Sequence, residues 1–463
     1  MRNIISSFRD PSGYLFWHDG KLYRTITDKY IDTYKTIKQS GLFDTLSFEK
    51  KIVEFKEQSV EKNSFFSKKA SLILEPDILP FISYPYEWSF SQLKDAAMLT
   101  LDLHIAGLKN NFLLKDASAY NVQFLNGKPI FIDHLSFDVC DKYSVWPAYG
   151  QFCRHFLAPL VLMSKVDPGL NSLLKLYIDG IPLPIACKFI SIRKLLSFGL
   201  FVHFLCHANS QKKYADKGEI LKNEKKLSPL QMLNFAFSLK ETITKLTWQP
   251  KGTEWIEYYN DTNYSNNAMQ NKIELILCFV KKIPGVRMLW DFGANTGFMS
   301  RAIQEYAEHI ICFDIDVASV EKNYLQVKKN LETKILPLVM DFTNPSPAIG
   351  FASQERCSLN NRGKADLGLA LALIHHLSIS NNIPFSYLAK YFSSLCNYLI
   401  IEYIPKEDSQ VQRLLLSRND IFFEYTPENF IKEFSVYFEI ISQKRIVDSN
   451  RTLFLMKTSQ SFS

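Results

Sequence analysis

The chain has 463 residues, of which 47% are hydrophobic and 22% charged, a composition that excludes a disordered protein and is typical of folded chains with large cores. Its length exceeds that of one ordinary domain, so about two or three domains are expected. The formal net charge of +7 is mild for this length, and it argues against a nucleic-acid partner.

Cysteine usage and the N-terminal residues bear on the compartment. The eight cysteines form no Cys-x-x-Cys pair, and no spaced set of His, Cys and carboxylate residues predicts a metal site. The first ten residues lack an apolar core of signal-peptide length, and the longest apolar stretch, Leu195–Cys206, is about half a membrane span. We therefore expect a soluble, cytoplasmic protein with free thiols and no membrane partner.

The first predicted elements are a hairpin and a long helix. Alternating residues over 14–26 flank Asp19-Gly20, a strong signal for a two-residue turn between strands. Apolar residues then recur on one face of Ser91–Leu108, which predicts an amphipathic helix.

Three polar residues follow this helix at defined intervals. Asp116 and Asn121 are five residues apart, and Asp133 closes an apolar strand twelve residues later. The layout resembles the catalytic loop and metal-binding aspartate of protein-kinase-like phosphotransferases. The resemblance implies that Asp116 is a base and that Asn121 and Asp133 are magnesium ligands.

Other parts of the kinase pattern are missing. His134 stands where protein kinases carry an apolar residue, and no glycine-rich phosphate loop precedes residue 70. A kinase would also need a lysine in a strand, paired with a glutamate on a helix. Lys68 and Lys69 are only weak candidates for that lysine. Three interpretations stay open: a kinase-like scaffold without phosphotransfer, an active phosphotransferase, and a chance loop in which Asp116 and Asn121 hold a turn.

A lysine-rich segment separates the two halves of the chain. Residues 211–226 favour a solvated linker over a nucleic-acid-binding patch, and a helix is predicted over Pro229–Leu246. The expected organisation is an α+β, kinase-like domain over 1–210, a linker and connecting helix over 211–250, and an α/β domain over 251–463.

The second half opens with a strand, a glycine turn and a helix. The strand ends in Asp291, and the turn carries Gly293, Asn295 and Gly297 before a helix that begins near Phe298. A dinucleotide fingerprint would need glycine at 293, 295 and 298, so two of its three positions fail. The next strand ends in the acidic Asp314, which is typical of nucleotide-binding α/β sheets.

The pattern Asp-x-Gly-x-Asn-x-Gly resembles the first motif of class I S-adenosylmethionine-dependent methyltransferases. The resemblance implies a Rossmann-like, seven-stranded methyltransferase domain that uses S-adenosyl-L-methionine as cofactor. It places Asp291, Gly293, Asn295 and Gly297 at the amino-acid end of the cofactor, Asp314 at the ribose and Asp341 at the adenine amino group.

The order of the later elements agrees with this family. A helix is expected over Val317–Asn330, and another over Ser386–Cys396. The remaining segments predict strands: Ile335–Met340, Asp366–Leu373, Tyr398–Tyr403, Val436–Ser442 and Thr452–Lys457.

His375 and His376 follow Asp366–Leu373, the fourth predicted strand of this domain, at the edge where ligands bind in open α/β sheets. Histidine is the side chain best suited to take a proton from an acceptor at neutral pH. Neighbouring residues on a strand face opposite ways, so one histidine at most is expected to face the cofactor if the strand stays regular. The alternative is that both shape the strand end. Tyr264 and Ser265 are candidate lid residues by the same resemblance.

The opening Arg9-Asp-Pro-Ser-Gly13 and the distal methyltransferase domain also resemble methyltransferases of the rhizobial nodulation-protein type. This suggests a small-molecule or saccharide-type acceptor. One rival hypothesis is a bifunctional enzyme that also phosphorylates through Asp116, and a second is a non-catalytic scaffold. A nucleic-acid methyltransferase is disfavoured, because the Asp/Asn-Pro-Pro-Tyr/Phe motif is absent after the fourth strand.

Overall fold

The computed structural model describes residues 2–4, 7–58, 70–140, 145–195, 197–208, 227–250, 265–416 and 419–459. The lysine-rich segment 211–226, Lys68, Lys69 and Tyr264 lie outside these ranges. Contacts divide the chain into two compact units. The first contains Met1–Gln249 and Ala348–Arg356, and the second contains Pro250–Pro347 and Cys357–Ser463. Within the described ranges, no helix has both the length and the apolar character needed to cross a membrane.

The first unit carries a five-stranded antiparallel sheet with the order β1-β2-β3-β5-β4. Its strands are β1 (Arg2–Asn3), β2 (Leu15–His18), β3 (Lys21–Ile26), β4 (Phe55–Gln58) and β5 (Leu72–Pro76). The predicted hairpin is confirmed as β2 and β3. Asp19 and Gly20 have φ values of 48° and 76°, as a two-residue turn between twisted strands requires.

Two short antiparallel pairs follow in the same unit: β6 (Phe112–Leu114) with β9 (Phe137–Val139), and β7 (Val122–Leu125) with β8 (Lys128–Phe131). Its α-helices are α1 (Ile31–Gln39), α2 (Leu42–Phe48), α3 (Phe90–Lys109), α4 (Tyr149–Phe152), α5 (Ala158–Lys165), α6 (Leu183–Lys188), α7 (Phe198–Leu200) and α8 (Pro229–Lys245). The predicted helices at α3 and α8 are confirmed. At the start of α3, the Gln92 side chain accepts a hydrogen bond of 3.0 Å from the Ser89 amide.

The second unit contains a seven-stranded sheet with the order β12-β11-β10-β13-β14-β16-β15. The first five strands are parallel, and β16 runs antiparallel to both of its neighbours, β14 and β15. This is the Rossmann-like methyltransferase fold expected from the sequence. The strands are β10 (Val286–Phe292), β11 (Ala307–Asp314), β12 (Ile335–Val339), β13 (Ala365–Ala370), β14 (Cys396–Tyr403), β15 (Phe438–Arg445) and β16 (Thr452–Thr458).

Helices cover this sheet and bury its apolar strands. They are α9 (Asn266–Val280), α10 (Phe298–Ala302), α11 (Val317–Asn330), α12 (Phe385–Leu395), α13 (Ser409–Leu415) and α14 (Pro427–Ser435). The middle of the sheet is tightly packed around Gly368 on β13. A Cβ atom there would lie 2.7 Å from the Phe292 ring and 2.9 Å from Cys396 Sγ, so a side chain would not fit at this position.

Candidate functional site

The loop between β10 and α10 adopts an unusual backbone conformation. Gly293, Asn295 and Gly297 have φ values of 78°, 50° and 78°, in the left-handed region that glycine enters freely and asparagine tolerates. The amides of Gly293 and Ala294 both donate to the carbonyl oxygen of Phe313, at 2.9 Å each. The loop is therefore fixed to the end of the neighbouring strand β11.

Asp314 ends β11 and contacts the same loop. Its Oδ2 accepts a hydrogen bond from the Asn295 amide at 2.7 Å, and its Oδ1 accepts one from the Asp316 amide at 2.8 Å. Each carboxylate oxygen has a second lone pair, so Asp314 keeps acceptor capacity for ligand hydroxyl groups. Burial raises the pKa of Asp314 to about 6.

Asp291 is buried at the end of β10. Its Oδ2 accepts a hydrogen bond of 2.6 Å from Ser300 Oγ on α10. Burial raises the pKa of Asp291 to about 7, although the Ser300 bond opposes the shift. The methyltransferase resemblance implied that Asp291 lies at the amino-acid end of the cofactor. In the structure its carboxyl group ties the start of α10 to the strand below the loop.

Asp341 follows β12 at the same edge of the sheet. Its Oδ1 accepts hydrogen bonds from the amide and the hydroxyl group of Thr343, at 2.8 and 2.6 Å. The next residue, Phe342, packs edge-on against Phe292 at 5.0 Å and Phe313 at 5.7 Å between ring centroids. A carboxylate beside an aromatic group can bind an amino-substituted planar ring.

The segment after β13 differs from the expectation. The strand was predicted to reach Leu373, but it ends at Ala370, and Ala372 has a left-handed φ of 50°. His375 has helical backbone angles and His376 begins a short π-helix. The strand does not stay regular up to the histidines, so the alternation argument does not apply to them. The two rings do not face opposite ways but lie 4.0 Å apart between centroids.

Both histidines are neutral at physiological pH. Burial and then the charges of His376, Arg451 and Lys272 lower the pKa of His375 well below its usual value. Burial and the Arg451 charge lower the pKa of His376 to about 4. His375 is buried, and its Nδ1 has no hydrogen-bond partner among the described residues. Neutral imidazole nitrogens of this kind can accept a proton.

The histidine segment lies next to the glycine loop. A Cβ atom on Gly293 would be 3.3 Å from Leu373 Cδ1, and Leu373 is two residues before His375. The structure therefore brings the loop, Asp314 and the histidines to one edge of the sheet. Ser265, the described member of the two candidate lid residues, instead caps α9, where its Oγ accepts the Ala268 amide at 3.1 Å.

A buried charge network that the sequence analysis missed supports the histidine segment. Glu402 Oε2 accepts hydrogen bonds from Lys272 Nζ at 2.7 Å and from the Ala372 amide at 2.9 Å. Arg451 Nη1 lies 3.8 Å from Glu402 Oε1. One signal was available in the sequence, because Lys272 falls on the otherwise apolar stripe of α9 formed by Ala268, Ile276 and Phe279.

In the first unit, the kinase-like residues come together. Asp116 Oδ1 accepts hydrogen bonds from the Ser118 amide at 3.0 Å and from Gln151 Nε2 at 2.8 Å. Burial and the charge of Asp133 raise the pKa of Asp116, against hydrogen bonds that include one from Asn121. The Asp133 carboxylate accepts a 2.6 Å hydrogen bond from Ser136 Oγ.

A cation that the sequence analysis did not find lies in this cluster. Arg24 on β3 places Nη2 3.2 Å from Asp133 Oδ1, and the same nitrogen forms an ion pair with Asp10. Burial opposes ionisation of Asp133, but the charge of Arg24 and the hydrogen bond from Ser136 keep its pKa below the ordinary value.

Comparisons with known proteins give one close relative and several similar structures. The chain is 32% identical over 465 residues to the nodulation protein NoeA of Rhizobium meliloti (strain 1021), covering 99% of this chain and 96% of the relative. No family model matches the chain. Two of the similar solved structures are described as complexes with S-adenosylhomocysteine.

The first is the N-methyltransferase NodS of Bradyrhizobium japonicum WM9, with 8% identity, a TM-score of 0.33, and coverage of 45% of this chain and 100% of that one. The second is the magnesium protoporphyrin IX methyltransferase ChlM of Synechocystis PCC 6803, with 15% identity, a TM-score of 0.31, and coverage of 44% and 93%. The structure of WbdD has 16% identity, a TM-score of 0.32, and coverage of 47% and 46%.

Proposed function

The chain belongs to the family of the nodulation protein NoeA, and we propose that it is an S-adenosyl-L-methionine-dependent methyltransferase of small-molecule or saccharide-type acceptors. One observation carries the proposal. Gly293, Asn295 and Gly297 form a left-handed loop whose Asn295 amide is bonded to the Asp314 carboxylate. That arrangement places a tight glycine turn beside an acid at the carboxyl ends of parallel strands, where open α/β sheets bind nucleotides.

The residues of the second unit fit this cofactor. Gly297 has no room for a side chain, since a Cβ atom would lie 2.6 Å from Arg301 Nη1 and 2.7 Å from Asn323 Nδ2, so glycine lets the turn pack closely against α11. Asp314 would accept hydrogen bonds from the ribose hydroxyls, and Asp341 one from the adenine amino group. The loop residues would hold the amino-acid end. When bound, the cofactor supplies an activated methyl group and a good leaving group.

The histidines would accept a proton from the methyl acceptor. A hydroxyl or amine acceptor must lose a proton as the new bond to the methyl carbon forms. His375 is buried and His376 is half-buried beside the cofactor loop, and both are neutral. The unprotonated nitrogen of either ring can take that proton, although burial makes each ring a weaker base than an exposed histidine. Glu402 supports the same segment through the Ala372 amide. We assign the proton-accepting role to this pair.

Two features of the sequence argue against a nucleic-acid acceptor. The chain lacks the Asp/Asn-Pro-Pro-Tyr/Phe sequence that holds a planar amino group, and its net charge is mild. Both features disfavour a nucleic acid as the methyl acceptor.

The cysteines bear on the compartment. All eight are free thiols, which supports a reducing, cytoplasmic compartment.

Calorimetric titration with S-adenosylhomocysteine tests the proposal. We expect micromolar binding by the wild-type protein and a loss of about 100-fold for Asp314→Ala, because hydrogen bonds to a charged group are each worth about 1.5–3 kcal/mol. Glu439→Ala is the matched control, since this exposed carboxylate lies on β15 and its removal should leave binding unchanged. Absence of binding by folded wild-type protein would leave the non-catalytic scaffold as the better hypothesis.

A second candidate function is phosphotransfer by the first unit. The observation that favours it is the clustering of Asp116 with Asn121 and Asp133, while Arg24 already neutralises the Asp133 carboxylate that a metal would need. Asp116 would act as base, with Asn121 and Asp133 as metal ligands. Magnesium-dependent ATP turnover that Asp116→Ala abolishes would support this function. A wild-type protein that does not bind ATP would exclude it.

A further inference from the structure

The helical run at 198–208 in the first unit exposes aromatic side chains to solvent. Phe198 on α7 is 79% exposed, and Phe201, which begins the following π-helical segment Phe201–Cys206, is 50% exposed. Residues three apart lie on the same face of a helix, so these two rings form one apolar surface. Phe189, at the end of α6, is 47% exposed and lies nine residues earlier. Neighbouring exposed aromatics of this size mark an interaction surface.

Basic residues occur close to these phenylalanines in the sequence. Lys188, Arg193 and Lys194 are all exposed, and they occur within α6 and the turn Ile192–Leu195 that leads into α7. The Lys194 Nζ atom donates to the carbonyl oxygen of Lys165 at 2.7 Å, which attaches this turn to the end of α5. The cations are thus carried by a turn that packs on the body of the unit.

The same stretch contains no acidic residue. Between Asp179 and Asp216 the sequence has neither aspartate nor glutamate, so no carboxylate of this stretch balances the cations. A basic segment with protruding phenylalanines is complementary to an anionic lipid bilayer, which is negatively charged outside and apolar beneath.

We infer that Phe189, Phe198 and Phe201, together with Lys188, Arg193 and Lys194, form a peripheral binding surface for anionic lipid bilayers. The phenylalanine rings enter the boundary between headgroups and acyl chains, and the cations contact the phosphate-bearing surface. From the sequence we expected no membrane partner, because no apolar stretch is long enough to span a bilayer. A helix that lies on the surface has no such length requirement, so the inference revises that expectation.

Vesicle co-sedimentation of the full chain tests the inference. We expect binding to vesicles with about 30% phosphatidylglycerol in phosphatidylcholine, and at least tenfold weaker binding to pure phosphatidylcholine or in 0.5 M salt, because salt screens the charge term. The double variant F198S/F201S and the triple variant K188Q/R193Q/K194Q should each weaken binding by about tenfold or more.

Phe48→Ser is the matched control. This phenylalanine is 91% exposed in the same unit but lies at the end of α2, where Glu49 forms an ion pair with Lys51, so its loss should leave vesicle binding unchanged. Circular dichroism melts would verify that all variants are folded. Absence of wild-type binding to anionic vesicles overturns the inference, and so does binding that neither multiple variant weakens. The wild-type protein could instead self-associate without binding vesicles, and F198S/F201S could make it monomeric. That outcome would overturn the inference and identify a second copy of the chain as the partner.

Discussion

Lys272 Nζ donates a 2.7 Å hydrogen bond to Glu402 Oε2, and both side chains are almost fully buried. Removing one member of a buried ion pair leaves an uncompensated charge in a medium of low dielectric constant. We therefore expect Lys272→Met to lower the free energy of unfolding by about 3–5 kcal/mol, as measured by urea denaturation monitored by circular dichroism.

The double variant K272M/E402Q separates the charge effect from lost packing. Glutamine keeps an oxygen for the Ala372 amide and removes the charge, so the double variant should be more stable than the sum of the two single changes predicts, by at least about 2 kcal/mol. Additive effects would show that the two charges do not depend on each other in the folded state.

Gly297→Ala should be much more harmful than the same change at Gly285. Both glycines have positive φ values, of 78° and 52°, but a Cβ atom on Gly297 would lie 2.6 Å from Arg301 Nη1, whereas Gly285 has open space around it. Left-handed backbone costs alanine about 1–2 kcal/mol at either site. Only Gly297→Ala should also displace Arg301 and abolish S-adenosylhomocysteine binding in a calorimetric titration.

Cofactor binding should weaken in acid because of Asp314. Its pKa of about 6 means that the carboxylate takes up a proton as the pH falls through 6, and the neutral acid is a poorer acceptor for ribose hydroxyls. The dissociation constant for S-adenosylhomocysteine should therefore be steady above pH 7 and rise about tenfold by pH 5. Titrations between pH 5 and 8 would measure this. A flat profile would contradict the assignment of Asp314 to the ribose.

Asp291 should make the folded state less stable as the pH rises. Its pKa is about 7 in the folded protein, against an ordinary value of 3.8, so the proton bound in the folded state is lost as the pH rises through 7. The stability that this proton provides is complete below about pH 4 and is gone above 7.

Asp291→Asn removes this dependence. Its stability relative to the wild type should improve by about 2 kcal/mol between pH 5.5 and pH 8. Urea denaturation at the two pH values measures the difference, and the buried histidines cancel because they are common to both proteins. An equal difference at both pH values would mean that Asp291 is already ionised at pH 5.5.

Local signals predicted most of the second unit. Strand-end acids and glycine spacing indicated the loop at Gly293–Gly297, and helix Val317–Asn330 has the predicted bounds. The Lys272–Glu402 pair joins residues 130 apart in sequence, and the Arg24–Asp133 pair joins residues 109 apart. No periodicity links such positions, so only the folded chain reveals them. The histidine geometry was missed because nothing in the sequence marks Ala372 as left-handed.

The path of the chain has a consequence for dissecting the protein. Residues 348–356 belong to the first unit, where Glu355 bonds Arg9 at 2.6 Å and Arg356 lies over the ring of Tyr120 at 4.2 Å. The chain therefore passes from one unit to the other at three points instead of one. A fragment that starts at residue 250 would retain this segment but lose Arg9 and Tyr120. The two halves are accordingly best studied by point substitution in the intact chain.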